Sequence, residues 1–476
     1  MQHLKNIGLN PSALSLAGLL AACATDGVDL GGSSSIRQSL EVGARCVDST
    51  IVQGDVFVAT PDELEALRGC EAIRGDFTVM VYEGTELSPL ASLREVSGAI
   101  VLGVRVRPIP DEILLNPMGT ELAEEFARQE AEAARSAEIV EAGWLESLHG
   151  LEALELAGQM ILEGIAAPDL GALKGLRNLG AHPQPQESGF LRISEAKNLV
   201  DLRGLEGVAG IRRLRLEDNP SLQSLAGVEL SASMDSVESQ DSPNLTDLTA
   251  LSSVESLEGF VLANTGVENL DALVKLGAGS ITLIENPELS DVSGLRNLQL
   301  APQILIMSNP KLESIPEIPL LGGLEELVVL DNGALRSISL NFRDITTTLL
   351  DAAARFTGSP PPGPVERREV EAGSARFEIS DNPQLESLTF GGASTSALVL
   401  EVNHNAGLSG IDLGPLRSLN VLSIHDNAAL SDVALRDIET VNFLSVVDNP
   451  NLDATELRNV KTFETEASGN ADDPAP

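Results

Sequence analysis

Residues Ile281-Thr282-Leu283-Ile284-Glu285-Asn286-Pro287-Glu288-Leu289-Ser290-Asp291-Val292 decide the fold. Ile281 and Leu283 alternate with other positions, the pattern of a short strand with one buried face. Asn286-Pro287 then turns the chain, through an Asx hydrogen bond and a fixed proline φ. Leu289 and Val292 follow at three-residue steps. The segment points four apolar side chains one way and is too small to bury them alone, so copies of it must stack.

Copies are present. The turn recurs at Asn219, Ser242, Asn264, Asn286, Asn309, Asn332, Asn382, Asn405, Asn427 and Asn449, at intervals of 23, 22, 22, 23, 23, 50, 23, 22 and 22 residues. The interval of 50 is one repeat plus 27 inserted residues. Apolar pairs precede the turns (Leu214/Leu216, Leu327/Val329, Leu400/Val402, Leu422/Ile424) and further pairs follow them (Leu222/Leu225, Leu385/Leu388, Leu408/Ile411). The period predicts in-register parallel strands about 4.8 Å apart. The repeated Asn is expected to turn inward and bond backbone amides of adjacent coils, which a buried turn otherwise leaves unpaired. Weaker copies begin at Thr60-Pro61-Asp62-Glu63-Leu64 and Gly84-Thr85-Glu86-Leu87, with Gly54, Gly75 and Gly98 just before strands, and continue through Leu154/Leu156 and Leu191/Ile193.

Composition fits narrow aliphatic coils: 43% of residues are apolar and only 3% aromatic. A net charge of −40 excludes nucleic acid, which is held by cations neutralising phosphates, and docking of the folded surface on anionic lipid. The N-terminus carries one basic residue, Lys5, and an apolar run ending Leu20-Ala21-Ala22-Cys23. That run is too short to span a bilayer and is a signal peptide. Leu20-Ala21-Ala22-Cys23 resembles the lipobox of bacterial lipoproteins, which implies acylation of Cys23; an ordinary cleaved signal peptide is the alternative. Gly31-Gly32-Ser33-Ser34-Ser35 is a flexible tether. Cys46 and Cys70 remain, an even pair in an exported chain, read as a disulfide with two buried thiols as the alternative.

Two resemblances follow. Leu64, Leu67, Cys70, Ile73, Gly75, Phe77 and Val79 resemble the receptor L domain, the β-helical ligand-binding module of insulin- and epidermal-growth-factor-type receptors. An early Cys pairs with one in this frame there, which supports Cys46–Cys70. Leu289-Ser290-Asp291-Val292-Ser293-Gly294-Leu295-Arg296-Asn297-Leu298 is similar to the leucine-rich repeats of internalins, although the Leu after each Asn falls at +3. That offset leaves a horseshoe and a closed β-helix both open. The fold expected is a repeat solenoid of right-handed parallel β-coils of 22–23 residues, mainly β with one or two inserted helices. The resemblances imply recognition of a protein or glycan; no ligand residue carries over.

The expected organisation is a signal peptide (1–22), lipidated Cys and tether (23–39), receptor-L-like coils (40–110), a helical insertion (111–144), solenoid repeats (145–340), a Pro-rich insertion (341–374), further repeats (375–465) and a disordered tail (466–476). In the first insertion Glu121 to Arg128 reads as a helix with Thr120 at its N-cap. In the second, Thr346 to Phe356 reads as a helix broken by Ser359-Pro360-Pro361-Pro362.

Two surfaces are candidate sites. Flanking the second inward position of each strand, Phe260/Leu262, Thr282/Ile284, Leu305/Met307 and Val328/Leu330 are assigned outward, an apolar patch between coils whose equivalent pairs are polar. Three readings stay open: cover by residues 341–374, burial in a locally wider cross-section, or an open partner-binding face. Acidic residues before the anchors (Asp218, Asp241, Glu285, Asp331, Asp381, Asp426, Asp448) form a ridge, read either as a weak divalent-cation ladder or as a solvated turn ridge. Asp381, His404, His425 and Asp426 are its weak metal candidates. No catalytic motif or cofactor site is present in the sequence. The functional expectation is a non-catalytic recognition module on the bacterial outer membrane or cell surface, or in the periplasm, touching membrane only through the Cys23 lipid. An acidic spacer and a carbohydrate-active β-helix enzyme with clustered carboxylates are the alternatives.

Overall fold

The computed structural model describes residues 46, 50–103, 143–180, 189–318, 324–342, 375–392, 398–414, 416–435, 438–453, 455–458 and 460–471. They fall within one compact unit, Ala44–Pro476. Cys23, the tether, and both expected helices lie outside the described residues.

The period resolves into one long parallel sheet of 19 strands. Each strand pairs with its counterpart one coil away, for instance Ile281 with Ile304 and Leu283 with Ile306. Two inward columns run down the stack. One passes through Leu214, Val237, Phe260, Ile281, Ile304 and Leu327, the other through Leu216, Ser239, Leu262, Leu283, Ile306 and Val329. Their apolar members are at most 2% exposed.

The back of the coil changes along the chain, and the spacing of apolar residues explains the change. In Leu289, Val292, Leu295 and Leu298, all fully buried, the step is three residues. Three per turn is the period of a 3₁₀-helix, and Ser293–Asn297 is one, as are Thr249–Ser253 and Asp271–Leu273. Farther on, Leu335, Ile338 and Leu340, like Leu385, Leu388 and Phe390, end on a step of two. Two is the strand period. Ser314–Ile318, Ser337–Phe342, Ser387–Gly392, Gly410–Asp412 and Asp432–Ala434 accordingly form a second parallel sheet. The earlier coils thus close with 3₁₀ turns, as leucine-rich repeats do, and the later coils with a second sheet, as β-helices do.

Between strand and back lies the asparagine ladder. Asn286, Asn309, Asn332, Asn382, Asn405, Asn427 and Asn449 are fully buried. Each side-chain Nδ2 donates to a carbonyl of the preceding coil, as Asn332 does to Ile306 O at 3.0 Å. Each Oδ1 accepts from the amide of the preceding ladder residue, as Asn332 does from Asn309 N at 3.1 Å. The residue before each rung is left-handed, with φ from 50° to 57° between Glu195 and Asp448. Asp and Asn tolerate that region best, which accounts for the acidic column.

Two expectations are corrected. The rung in the coil ending at Thr265 is Thr265, not Asn264: Thr265 Oγ1 donates to Asn286 Oδ1 at 2.6 Å, while Asn264 takes the left-handed position. The solenoid also passes the boundary placed at 465. Lys461–Ser468 is a strand, and Asn470 accepts from Asn449 N as a further rung.

At the other end, Thr60 caps the short helix Pro61–Glu65 and Glu63 reaches back to the Thr60 amide. Cys46 and Cys70 are disulfide-bonded across 24 residues, with Cα atoms 5.3 Å apart. Closing that loop contributes about 3 kcal/mol on the chain-entropy account. Cys70→Ser is therefore expected to lower the denaturant midpoint of the first coils, and reduction of the wild type to reproduce the shift. A reduced wild type that unfolds at the unreduced midpoint would contradict this.

Candidate surface on the outward face of the long sheet

The outward face carries three columns of side chains. One runs Glu238, Val261, Thr282, Leu305, Val328, Glu378, Glu401, Ser423 and Ser445. A second, two residues later in each strand, includes Gln240, Ala263, Ile284, Met307, Leu330, Ser380, Asn403, His425 and Val447. A third, two residues earlier, includes Arg376, Val399, Val421 and Phe443.

The predicted patch is only partly there. Phe260 and Leu262 are 0% and 1% exposed in the inward columns, because the rung is Thr265 and the whole strand is one residue out of the expected phase. Val261 and Ala263 occupy their outward places, half-buried. Leu305, Met307 and Val328 do face outward, yet they are only 3%, 8% and 4% exposed. Ile284 and Leu330 are half-buried. The open-face reading therefore does not hold for the centre of the patch. Cover by residues 341–374 is one of the three readings, and 343–374 lie outside the described residues.

On either side of the patch the face is charged. In the earlier coils the guanidinium of Arg192 bonds Glu217 at 2.6 Å, and Arg215 bonds the same carboxylate at 2.6 Å. Burial pushes the Glu217 carboxyl up, but the two arginines outweigh it and hold it below the usual range. In the later coils Arg376 bridges Glu378 at 3.1 Å and Glu401 at 3.0 Å. Here burial, with Glu401, Asp381 and Glu326 nearby, wins over Arg376 and raises Glu378. These two carboxylates lie in register on neighbouring strands. Arg376 occupies both, so they are held as ion-pair partners rather than as a free acid and base.

The metal candidates separate. His404, on the turn ridge, reaches Asp426 at 3.3 Å through Nε2 and Asp381 at 3.9 Å through Nδ1. His425 lies on the sheet face instead, with Nε2 2.7 Å from Ser445 Oγ and 3.3 Å from Ser423 Oγ. Among the described residues no three His, Cys, Asp or Glu side chains are placed to share a metal ion. The ridge relieves its own repulsion through interposed donors: Asn264 donates to Asp241 at 2.7 Å and Ser308 to Asp331 at 3.2 Å.

One stretch puts two carboxylates on adjacent turns. Asp331 and Asp381 are consecutive on the ridge, and Asp381 is raised by burial, lowered by His404 and raised again by Asp331. A carboxyl with a raised folded pKa contributes stability that is present at low pH and lost as pH rises through that value. Asp381→Asn keeps a side chain that tolerates the left-handed backbone and removes the charge. It is expected to raise the thermal midpoint at neutral pH, with the gain shrinking on acidification. A lowered midpoint at pH 7 would contradict the repulsion.

Sequence reasoning missed Val399, Val421 and Phe443, all half-buried and outward. Their signal was the position before the first inward residue of each later strand, and only two outward columns were counted.

Taken together, the chain is a leucine-rich parallel β-solenoid. Among solved structures it is similar to an internalin of Listeria monocytogenes, at 12% identity over 78% of this chain and 88% of that one, TM-score 0.31. It is also similar to a leucine-rich-repeat protein of Leptospira interrogans, at 12% identity over 87% and 88%, TM-score 0.29. No family model and no curated protein matches the chain. Among the described residues no helix is long and apolar enough to cross a membrane.

Proposed function

We propose that the chain is a non-catalytic recognition solenoid, displayed from a bacterial envelope by a lipid on Cys23, that binds a protein partner on the outward face of its long sheet. The observation that carries this reading is a surplus of apolar side chains. The inward columns already fill the core, yet Val261, Ile284, Leu330, Val399, Val421 and Phe443 add half-buried apolar surface outside it. Apolar surface that folding does not require marks interaction sites. The Gly- and Ser-rich composition between Cys23 and Cys46 suits a tether of the reach a displayed module needs.

The test has two arms. Intact mass and membrane partitioning of natively expressed protein, wild type against Cys23→Ala, read the anchor; acylation at Cys23 and loss of partitioning in the variant are expected. Photo-crosslinkers placed at Ile284, Leu330 and Val421 read the face in living cells, against crosslinkers at Glu313 and Asp432 on the second-sheet side. A discrete adduct from the first set alone is expected. A soluble product together with adducts from neither set would leave the acidic-spacer reading in its place.

A further inference from the structure

The later coils of the outward face differ from the rest in a way that specifies a partner. Val399, Val421 and Phe443 pair in register on three consecutive strands, so their side chains form an uninterrupted apolar strip along the stack. All three are half-buried, unlike the hidden Leu305 and Val328 of the preceding coils. The strip is rimmed by carboxylates. Glu378 and Glu401 lie at one end, with side chains 29% exposed, and Glu464 and Glu466 at the other, exposed.

These five strands carry two Lys or Arg residues, Arg376, already shared between Glu378 and Glu401, and Lys461 at the start of the last strand. Among the described residues no cation pairs with Glu464 or Glu466. In the earlier coils the acids of the same face are matched, since Arg192 and Arg215 converge on Glu217, Arg215 also reaches Glu238 at 3.6 Å and Arg212 pairs with Asp235 at 2.8 Å. Beside the accessible apolar strip the carboxylates outnumber the cations.

Glu464 and Glu466, without a cation partner among the described residues, and Glu378 and Glu401, sharing one arginine, leave the strip flanked by uncompensated negative charge. A partner that brings only apolar groups would desolvate these carboxylates without compensation, at a cost. One that brings cations beside its apolar groups relieves the repulsion and gains steering. We infer that the strip Val399–Val421–Phe443 with its rim Glu378, Glu401, Glu464 and Glu466 is the docking surface for a basic protein segment carrying alternating apolar and Lys or Arg side chains. This rests on the recognition reading and narrows it to one part of the face and one partner chemistry. His425, held between Ser423 and Ser445 at the edge of the strip, supplies polar contact.

The probes are two synthetic peptides of equal length, one alternating leucine and lysine, the other leucine and glutamate, titrated against the full chain at about 0.15 M salt so that long-range attraction is screened. The lysine peptide is expected to bind, and hydrogen exchange to slow in Leu398–Asn403, Ser418–His425 and Thr440–Val447. Glu378→Gln with Glu401→Gln is expected to weaken binding tenfold or more, and Phe443→Ser likewise. Asp432→Asn with Glu313→Gln, an equal change in charge on the second-sheet side, is expected to leave binding within twofold. Equal weakening by both charge pairs would mean attraction to net charge alone and would overturn the inference, as would binding insensitive to Phe443→Ser or equal binding of the glutamate peptide. A cellular adduct formed at Ile284 and Leu330 but not at Val421 would also overturn it while leaving the recognition reading intact. No adduct anywhere on the face removes both.

Discussion

Replacing Asn332 by alanine is expected to destabilise the central coils by about 3 kcal/mol or more. The side chain is fully buried and makes five hydrogen bonds. Nδ2 donates to Ile306 O and Leu330 O, both at 3.0 Å, and to Asn382 Oδ1 at 3.3 Å, while Oδ1 accepts from Asn309 N at 3.1 Å and Asn309 Nδ2 at 3.2 Å. The two carbonyls have a second chance: Leu330 O also accepts from Ser308 N at 2.9 Å. The Asn309 amide has none, and each buried group left unpaired costs about 1–3 kcal/mol. Asn332→Asp keeps the acceptor but loses the donor and buries a charge, so at neutral pH it should cost at least as much and recover in part on acidification. Asn332→Thr should cost roughly half, on the same accounting of lost bonds, because Thr265 serves as a rung by donating to Asn286. Repeat arrays can unfold coil by coil, so hydrogen exchange is the informative readout. Protection should fall first in Gln303–Met307 and Glu326–Leu330. If N332A and N332T lose protection equally, the ladder does not act through its polar bonds.

That ladder was legible in the sequence because one residue type recurs at one pitch, and its inward aim follows from the need to satisfy a buried turn. Where two residue types exchange places the reading slipped. The left-handed position accepts Asn as readily as Asp, and a hydroxyl serves as a rung, so Asn264-Thr265 looks like an anchor one residue early. The error carried Phe260 and Leu262 from the core to the surface. The third outward column was missed because only the positions flanking the second inward residue were counted; Val399, Val421 and Phe443 each stand one position before the first inward residue of their strands. The last coil was missed for a different reason. Its inward residues are Thr465 and Ala467, and a terminal coil needs a polar outer side, so it lacks the aliphatic pair that marks the others.

The glycines separate in the same way, by what stands opposite rather than by type, and they give the second large effect. Gly294 opens the 3₁₀ turn Ser293–Asn297, and a Cβ there would lie 1.8 Å from Leu270 O in the turn beneath. That neighbour is backbone and cannot rotate away. Gly294→Ala must push two coils apart in a stack whose register is fixed on the sheet side, so it is expected to cost about 2–3 kcal/mol, as overpacked cores do. Gly333 follows the rung Asn332, where other coils have Pro220, Pro287, Pro310, Pro383 and Pro450. A Cβ at Gly333 meets nothing within 4 Å, and its φ is not left-handed. Gly333→Ala should therefore stabilise by about 0.4–1 kcal/mol through the unfolded chain, and Gly333→Pro, which copies the neighbouring coils, by a similar amount. Denaturant midpoints of the three variants should fall on opposite sides of wild type. If Gly294→Ala is neutral, the 3₁₀ turns of successive coils are not in backbone contact. If Gly333→Pro destabilises, the amide at that position makes a bond that the proline-bearing coils do without, and the turns are not equivalent after all.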